Sequence, residues 1–234
     1  MIADPIVKEH EGVLVVRDDL IRGGSKRRFV DRIIAGHDEV VYATPAYGGA
    51  QIAIAYAASE LGVRSTIFVA KRGDPHPRTL EAKRAGARIL QVPYGYLSNV
   101  QSKAKEYCQK TGATLLPFGL DTPEIINAIA AAANKLQATL PPIDQVWCVA
   151  GSGVLSKSLQ KGFTNAKSFH VISVGKGLSQ EAIGKARLYK HPKDFAVDAK
   201  IKPPFPSCSN YDAKAWEYIK RYGKGTILFW NVMG

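Results

Sequence analysis

The sequence contains little cysteine, few acidic residues relative to basic ones, and no long apolar run. Its cysteines, Cys108, Cys148 and Cys208, are odd in number, lie far apart and form no CxxC pair. They exclude a disulfide framework and argue against a cysteine-based zinc site, as is typical of a reducing cytoplasm. Charged residues or glycines break every apolar stretch before the roughly 18 residues of a membrane span. The first residues lack the basic and apolar regions of a secretory signal. We therefore expect a cytoplasmic protein without a membrane span or a metal site.

What the chain does contain is an excess of positive charge. Its 32 basic and 20 acidic residues give a formal net charge of +12. Residues 61–120 carry ten basic against three acidic residues, and residues 181–234 carry ten against five. Such asymmetry is typical of contact with a polyanion, because basic side chains displace its condensed counterions. A basic surface with no nucleic-acid role is the alternative, and no zinc-finger, RRM or basic-zipper pattern decides between them.

Short β-branched segments alternate with Ala-rich or amphipathic segments along the chain. The predicted strands are Val13–Val16, Val40–Ala43, Ser65–Ala70, Arg88–Val92, Thr114–Leu116, Gln145–Ala150, His170–Val174 and Thr226–Trp230. The predicted helices are Gly49–Leu61, Pro77–Ala85, Asn99–Lys110, Thr122–Leu136, Leu155–Gly162 and Asp212–Tyr222. This alternation predicts an α/β fold with a parallel sheet covered on both faces.

Three glycine-rich turns lie beside these elements. They are Gly23-Gly24-Ser25-Lys26, Tyr47-Gly48-Gly49-Ala50-Gln51 and Ala150-Gly151-Ser152-Gly153. In open α/β sheets, ligands bind at the carboxyl ends of strands, where glycines expose backbone N–H groups beside the positive end of a helix. One such turn is compatible with a tight turn alone. Three in one chain favour a site for an anionic small molecule.

The third turn also nearly matches the phosphate-binding loop GxxxxGK[ST] of nucleotide hydrolases. Ser156 replaces the second glycine of that motif. No Asp follows the next predicted strand to help hold magnesium. These glycines therefore need a different explanation.

Taken in chain order, five segments resemble landmarks of the fold-type II pyridoxal-phosphate enzymes, in particular the 1-aminocyclopropane-1-carboxylate deaminase and D-cysteine desulfhydrase branch. Val16–Arg28 resembles the segment whose Gly-Gly-Asn-Lys-x-Arg motif carries the Schiff-base lysine. Tyr47–Gln51 resembles the substrate-carboxylate loop, and Leu116–Gly119 resembles another shared landmark. Gly151–Leu155 resembles the loop that holds the cofactor phosphate. Asn210–Ala215 resembles the segment that places a side chain at the pyridine nitrogen.

The resemblance implies an enzyme that binds pyridoxal 5′-phosphate, with Lys26 as its covalent anchor and a catalytic residue. It also implies Tyr211 as a catalytic group and Asp212 as the residue that keeps the pyridine ring protonated. The implied cofactor-phosphate contacts are the backbones of Gly151, Ser152, Gly153, Val154 and Leu155. The implied substrate contacts are Tyr47, Gly48, Gly49, Ala50 and Gln51.

Two of these residues have simpler interpretations. Lys26 is compatible with a solvated lysine in a basic cluster with Arg27 and Arg28. Asp212 is compatible with a cap of the predicted helix that follows it.

The fold implied by the resemblance has two lobes of parallel sheet. We expect a larger cofactor-binding lobe from residues 1–40 and 117–234, and a smaller α/β lobe from residues 41–116. A homodimer is compatible with such a fold, and the sequence leaves the oligomeric state open.

The implied activity is that of a lyase or deaminase acting at the α-carbon of an amino-acid-like substrate, by elimination, deamination or decarboxylation. Such a site uses only a few of the positive charges. We therefore add the hypothesis of a DNA-modifying activity, with the amino acid attached to a nucleic acid or another polyanion. The alternative is a non-catalytic basic α/β module that binds nucleic acid or a phosphorylated ligand.

Overall fold

A computed structural model of the chain describes residues 4–93, 95–174, 177–192 and 194–234. Its β-strands are β1 Val7–His10, β2 Val13–Arg17, β3 Glu39–Ala43, β4 Arg64–Ala70, β5 Arg88–Val92, β6 Thr114–Leu115, β7 Gln145–Ala150, β8 Ser168–Ser173, β9 Arg187–Lys190 and β10 Ile227–Asn231. Its α-helices are α1 Asp31–Ile34, α2 Ala50–Glu60, α3 Pro77–Arg84, α4 Leu97–Thr111, α5 Pro123–Gln137, α6 Val154–Gly162, α7 Gln180–Ile183 and α8 Lys214–Tyr222. Short 3-10 helices are Asp18–Leu20, Ser25–Arg28 and Phe118–Leu120.

The chain divides into two compact units. The first unit comprises Met1–Ile21 and Pro123–Gly234, and the second comprises Arg22–Thr122. This differs from the expected lobes, because residues 22–40 and 117–122 belong to the smaller unit. The helix Ser25–Arg28 packs on α2, and the buried guanidinium of Arg27 pairs with Glu60 at the end of α2.

The first unit is built on a six-stranded sheet in the order β1-β2-β10-β7-β8-β9. In this sheet, β2, β10, β7, β8 and β9 are parallel to one another, whereas β1 is antiparallel to β2. A two-residue turn joins β1 to β2, with φ of 50° at Glu11 and 77° at Gly12. The core contains the buried rings of Trp147 and Phe229 from the sheet and Trp216 from α8. Burial of such large rings stabilises this unit.

The second unit is a four-stranded parallel sheet in the order β5-β4-β3-β6. Helix α2 is Ala- and Ile-rich and is buried over most of its length, as its lack of a polar face requires. Helix α4 packs against the sheet through Val100 and Ala104, which contact the cluster of Val41 and Phe68. The carboxyl ends of β3, β4 and β6 therefore lie side by side along one edge of this sheet.

The parallel α/β architecture predicted from the sequence is confirmed, and each predicted strand is present with small shifts at its ends. The prediction omitted β1, β9, α1 and α7, which are short. Helix α8 begins at Lys214, two residues later than expected. No helix in the described ranges has the length and apolar character needed to cross a membrane.

Candidate active site

Lys26 lies in the 3-10 helix Ser25–Arg28, which two glycines of positive φ introduce. Gly23 has a φ of 90° and Gly24 a φ of 71°. A Cβ on Gly23 would lie 2.9 Å from the Cα of Ala53 in α2, so only glycine permits this close approach. The lysine side chain is half-buried. The Gly-Gly pair therefore fixes the lysine-bearing turn against the first half of α2.

The first arginine after Lys26 is buried and paired, so it is not part of a solvated basic surface. Arg27 is only 4% exposed and pairs with Asp31 and Glu60. Its charge is therefore neutralised within the second unit. Lys26 and Arg28, on either side of Arg27, are both half-buried.

The loop Tyr47–Gln51 follows β3 and is braced from inside. The buried side-chain amide of Gln51 donates to the carbonyls of Ala46 and Gly48, both at 2.9 Å. A Cβ on Gly48 would lie 2.2 Å from the hydroxyl of Thr44. The loop is thus held in one conformation before α2 begins at Ala50.

Basic side chains that the sequence analysis did not single out surround Tyr47. The guanidinium of Arg72 lies 4.7 Å from the centre of the Tyr47 ring, and Arg78 donates to the Tyr47 carbonyl. The ring of His76 lies 4.6 Å from the Tyr47 ring. The available signal was the local sequence KRGDPHPR at residues 71–78, directly after a predicted strand.

A cleft of about 360 Å³ lies at the same edge of the second unit. Its polar wall is the face of α4 that carries Ser98, Gln101 and Lys105, and its apolar wall is Leu115–Phe118. The ring of Phe118 is 39% exposed. Three residues of the predicted landmark, Leu116–Phe118, therefore line an open cleft next to β3.

In the first unit, Gly151–Leu155 forms the turn from β7 into α6. Gly153 has a φ of 88°, and a Cβ there would lie 2.0 Å from the carbonyl oxygen of Ala182. No side chain caps the amino end of α6. A helix start without a side-chain acceptor, at the carboxyl end of a parallel strand, suits an anion such as a phosphate.

The hydroxyls expected of a nucleotide-hydrolase loop are used otherwise. Ser158 donates to the carbonyl of Val154 at 2.8 Å, and Ser156 donates to the carbonyl of Ile183 at 2.9 Å. Both residues are buried. Both hydroxyls therefore donate to backbone carbonyls within the first unit.

Tyr211 holds the start of this turn in place. Its hydroxyl donates to the carbonyl of Val149 at 3.2 Å and accepts a backbone hydrogen bond from Gly151. Burial, followed by the nearby carboxylate of Asp212 and the thiol of Cys148, raises the pKa of Tyr211 well above its ordinary value. The phenol is therefore protonated near pH 7 and serves as a hydrogen-bond donor.

Asp212 is fully buried and precedes α8. The N-cap residue of α8 is Ala213, and no side chain there makes a capping hydrogen bond. The Oδ2 atom of Asp212 instead accepts the N–H of Met233 at 3.2 Å. Its charge helps to raise the pKa of Cys148 and Tyr211. The Asp212 carboxylate thus binds a backbone group far along the chain and lies near Cys148 and Tyr211.

The acidic pair before the first glycine turn has a structural role. Asp18 is fully buried and accepts the indole N–H of Trp230 at 3.0 Å. Asp19 forms two 2.8 Å contacts with Arg17 and accepts from the side chain of Asn231. These contacts fasten the end of β2 to the end of β10, which explains why both carboxylates stand at this point of the chain.

The structure thus brings the predicted residues together in two groups. Gly151–Leu155, Tyr211 and Asp212 are neighbours within the first unit. Lys26 and Tyr47–Gln51 are positioned on α2 within the second unit. The described residues contain no cluster of three or more His, Cys, Asp or Glu side chains suited to a metal ion.

Solved structures share this fold across nearly the whole chain. An ACC deaminase homologue superposes with a TM-score of 0.85 at 17% identity, covering 99% of this chain and 89% of that one. Maize serine racemase gives a TM-score of 0.70 at 14% identity, with 98% and 87% covered.

Sequence comparison identifies a curated relative and a family. The relative is a glycyl-dTMP PLP-dependent decarboxylase of Pseudomonas phage M6, 26% identical over 212 residues, with 77% of this chain and 76% of the relative covered. The family model for pyridoxal-phosphate dependent enzymes matches residues 5–229. This chain therefore belongs to the pyridoxal-phosphate-dependent enzymes, and its cofactor is pyridoxal 5′-phosphate.

Proposed function

We propose that the protein is a decarboxylase that removes the carboxylate from a glycyl group carried on a thymidine nucleotide, either free or within DNA. The observation that carries the proposal is the phage relative, whose name joins a glycyl group, a thymidine nucleotide and decarboxylation. The net charge of +12 supports a substrate with phosphate groups, since an amino acid alone needs few cations.

The proposed reaction breaks the bond between the α-carbon and the carboxylate. Carbon dioxide leaves, and a proton takes its place on the α-carbon. When bound, pyridoxal phosphate supplies the electron-withdrawing ring that accepts the bonding pair for the time between these two events. The protein must hold the cofactor, orient the carboxylate and deliver the proton.

The donor set of the first unit fits this cofactor. The amino end of α6 suits a phosphate dianion, because its first N–H groups meet no side-chain cap. The buried carboxyl of Asp212 suits a protonated pyridine nitrogen, since an anion in a low-dielectric surrounding favours a neighbouring cation. We assign Gly151–Leu155 to the phosphate and Asp212 to the ring nitrogen.

Tyr211 has a positioning role in this proposal. Its hydroxyl links the Val149 carbonyl to the N–H of Gly151. This contact sets the direction in which the following N–H groups of the turn point. Its raised pKa makes it unsuitable as a general base near pH 7.

Lys26 and the Tyr47–Gln51 loop supply the remaining functions. We assign Lys26 to the covalent attachment of the cofactor and to proton delivery at the α-carbon, which a lysine can perform once its amine is partly neutral. We assign the braced backbone of Tyr47–Gln51 to orienting the substrate carboxylate.

The test is a product analysis with the cofactor-loaded enzyme. Glycyl-dTMP, a DNA oligonucleotide carrying the same glycyl-thymidine, and free glycine would be incubated separately and analysed by mass spectrometry. We expect loss of carbon dioxide from one or both nucleotide substrates and none from glycine. Release of ammonia in place of carbon dioxide, or turnover of glycine alone, would contradict the proposal.

A further inference from the structure

Two loops at the carboxyl edge of the second sheet form a basic cluster. Strands β3 and β4 are parallel neighbours, with Ala43 aligned to Phe68, so the loops that follow them emerge side by side. The loop after β3 contains Tyr47, and the loop after β4 contains Arg72, His76 and Arg78. We call these four residues the Tyr47 cluster. It adjoins the loop that we assign to the substrate carboxylate.

The Tyr47 ring organises the cluster. Arg72 lies 4.7 Å from the ring centre and donates from Nη1 to the Tyr47 hydroxyl at 3.0 Å. Arg78 donates from Nη1 to the Tyr47 carbonyl. A guanidinium carries five N–H donors, so Arg72 has donors beyond the one bound to the Tyr47 hydroxyl. Arginine forks suit the oxygens of a phosphate in particular.

His76 adds a neutral donor. Its Nδ1 accepts the backbone N–H of Arg78 at 3.2 Å, at the amino end of α3. The neutral ring must therefore carry its proton on Nε2, which makes that atom a donor. Burial, then the charges of Arg78 and Arg72, lowers the pKa of His76, so the neutral form prevails near pH 7.

The cluster is accessible and positive. Arg72 is exposed, and His76 and Arg78 are half-buried. Among the described residues Arg72 forms no salt bridge. It also lies in residues 61–120, which hold the largest charge excess of the chain. Cofactor chemistry assigns no role to these cations.

We propose that the Tyr47 cluster is a phosphate subsite that binds the phosphate of the nucleotide carrying the glycyl group. This inference rests on the proposed function for the identity of the carrier. Arg72 and the Nε2–H of His76 bind the phosphate oxygens, and Arg78 and Tyr47 hold the two loops together. The phosphate belongs either to a free nucleotide or to a DNA strand.

The test measures binding to the cofactor-loaded protein by calorimetry, independently of turnover. Thymidine 5′-monophosphate, thymidine and a short thymidine-containing DNA strand serve as probes. We expect the monophosphate to bind about tenfold or more tightly than thymidine, as two charge-assisted contacts imply. Arg72→Gln, which leaves the His76 contact in place, should reduce this difference several-fold. Arg84→Gln, which deletes an exposed arginine at the end of α3, should retain it.

The DNA arm identifies the carrier. A DNA strand that binds more tightly than the monophosphate, with a salt dependence that Arg72→Gln weakens by about one unit of slope, indicates a DNA substrate. A strand that binds no better than the monophosphate indicates a free nucleotide. Equal binding of thymidine and its monophosphate, or equal behaviour of Arg72→Gln and Arg84→Gln, would overturn the subsite.

Kinetics separate this inference from the proposed function. With glycyl-dTMP, Arg72→Gln should raise KM and leave kcat nearly unchanged, since the phosphate contact is the same before and during reaction. A protein that binds the monophosphate through Arg72 but releases no carbon dioxide retains the subsite and refutes the decarboxylase. A protein that decarboxylates with no dependence on Arg72 retains the function and refutes the subsite.

Discussion

Asp212 and Gly153 in the first unit are enclosed by protein, whereas Lys26 and Tyr47 in the second unit are half-buried. Enclosure in the first unit comes with fixed hydrogen bonds, such as those of Tyr211 to Val149 and Gly151. The second unit instead presents an open cleft and the Tyr47 cluster at one sheet edge. The two units thus offer different kinds of binding surface.

The charge distribution follows the same division. The second unit has 15 basic and 8 acidic residues in the 101 positions of Arg22–Thr122, and the first unit has 17 and 12 in its 133 positions. The smaller unit therefore carries the larger excess. In the function proposed above, the first unit supplies the contacts to the cofactor phosphate and ring nitrogen, and the second unit supplies the anchoring lysine and the substrate contacts.

The largest expected effect comes from the lysine of the second unit. Lys26→Ala should remove covalently bound cofactor, seen as loss of its visible absorption band, and lower decarboxylation by roughly 10²–10⁴-fold. Lys8→Ala, in exposed β1, should change neither property. Retention of a covalent cofactor in the Lys26 variant would assign the anchor to another lysine.

The next effect tests the buried acid of the first unit. Asp212→Asn keeps the side-chain volume and removes the charge, which should slow the reaction by on the order of 10²-fold. It should also bring the pKa of Tyr211 and Cys148 closer to their ordinary values, because the Asp212 carboxylate contributes to raising both. Glu124→Gln, on the exposed side of α5, is the charge-matched control. An unchanged rate in Asp212→Asn would show that the ring nitrogen needs no acid here.

Two glycine substitutions measure how much the close packing of the Gly151–Leu155 turn costs a side chain there. Gly12→Ala meets no atom within 4 Å, so it should cost only the strain of its positive φ, about 1–2 kcal/mol. Gly153→Ala adds a clash with the Ala182 carbonyl and should cost about 1–3 kcal/mol more. Urea unfolding measures both free energies of unfolding. Equal losses would show that the turn has room to relax.

The sequence predicted the fold well because its signals are local. The short β-branched strands and the Ala-rich helix α2 can be recognised from residue patterns alone. Strand β1 was not predicted because its turn is Glu11-Gly12. Glu11 has a φ of 50°, a position at which Asn or Asp is usual in such a turn. Strand β9 escaped because only its pairing with β8 makes its four residues a strand.

In the candidate site, the glycine turns could be predicted from the sequence, but contacts between distant residues could not. The glycine turns were recognisable, since glycine alone permits their close approaches, as at Gly23 and Gly153. The Tyr47 cluster was not, because Tyr47 and Arg78 are 31 positions apart and only the pairing of β3 with β4 joins their loops. The contact of Asp212 with the N–H of Met233 could not be predicted either, because the two residues are 21 positions apart.

The smallest effect is a pH dependence confined to the first unit. His170 stacks on Trp147 at 4.3 Å, and its two ring nitrogens bind Ser168 and Tyr189. Burial, then the charge of Arg187, lowers its pKa from 6.5 to about 4. Between pH 6.5 and 4, the unfolded chain therefore binds a proton at His170 that the folded chain does not bind. The free energy of unfolding is unaffected by His170 above pH 6.5 and decreases as the pH falls towards 4.

Tryptophan fluorescence can follow this loss selectively, because Trp147, Trp216 and Trp230 all lie in the first unit. In urea titrations at successively lower pH, His170→Asn should lose less stability between pH 6.5 and 4 than the native chain. Asp144, whose pKa is lowered by Lys167 and the N–H of Thr226, remains as an acid-sensitive group in both proteins and sets the common background. Parallel curves for the two proteins would mean that the imidazole is protonated in the folded chain as readily as in the unfolded one. The burial that is typical of the first unit would then not extend to His170 in β8.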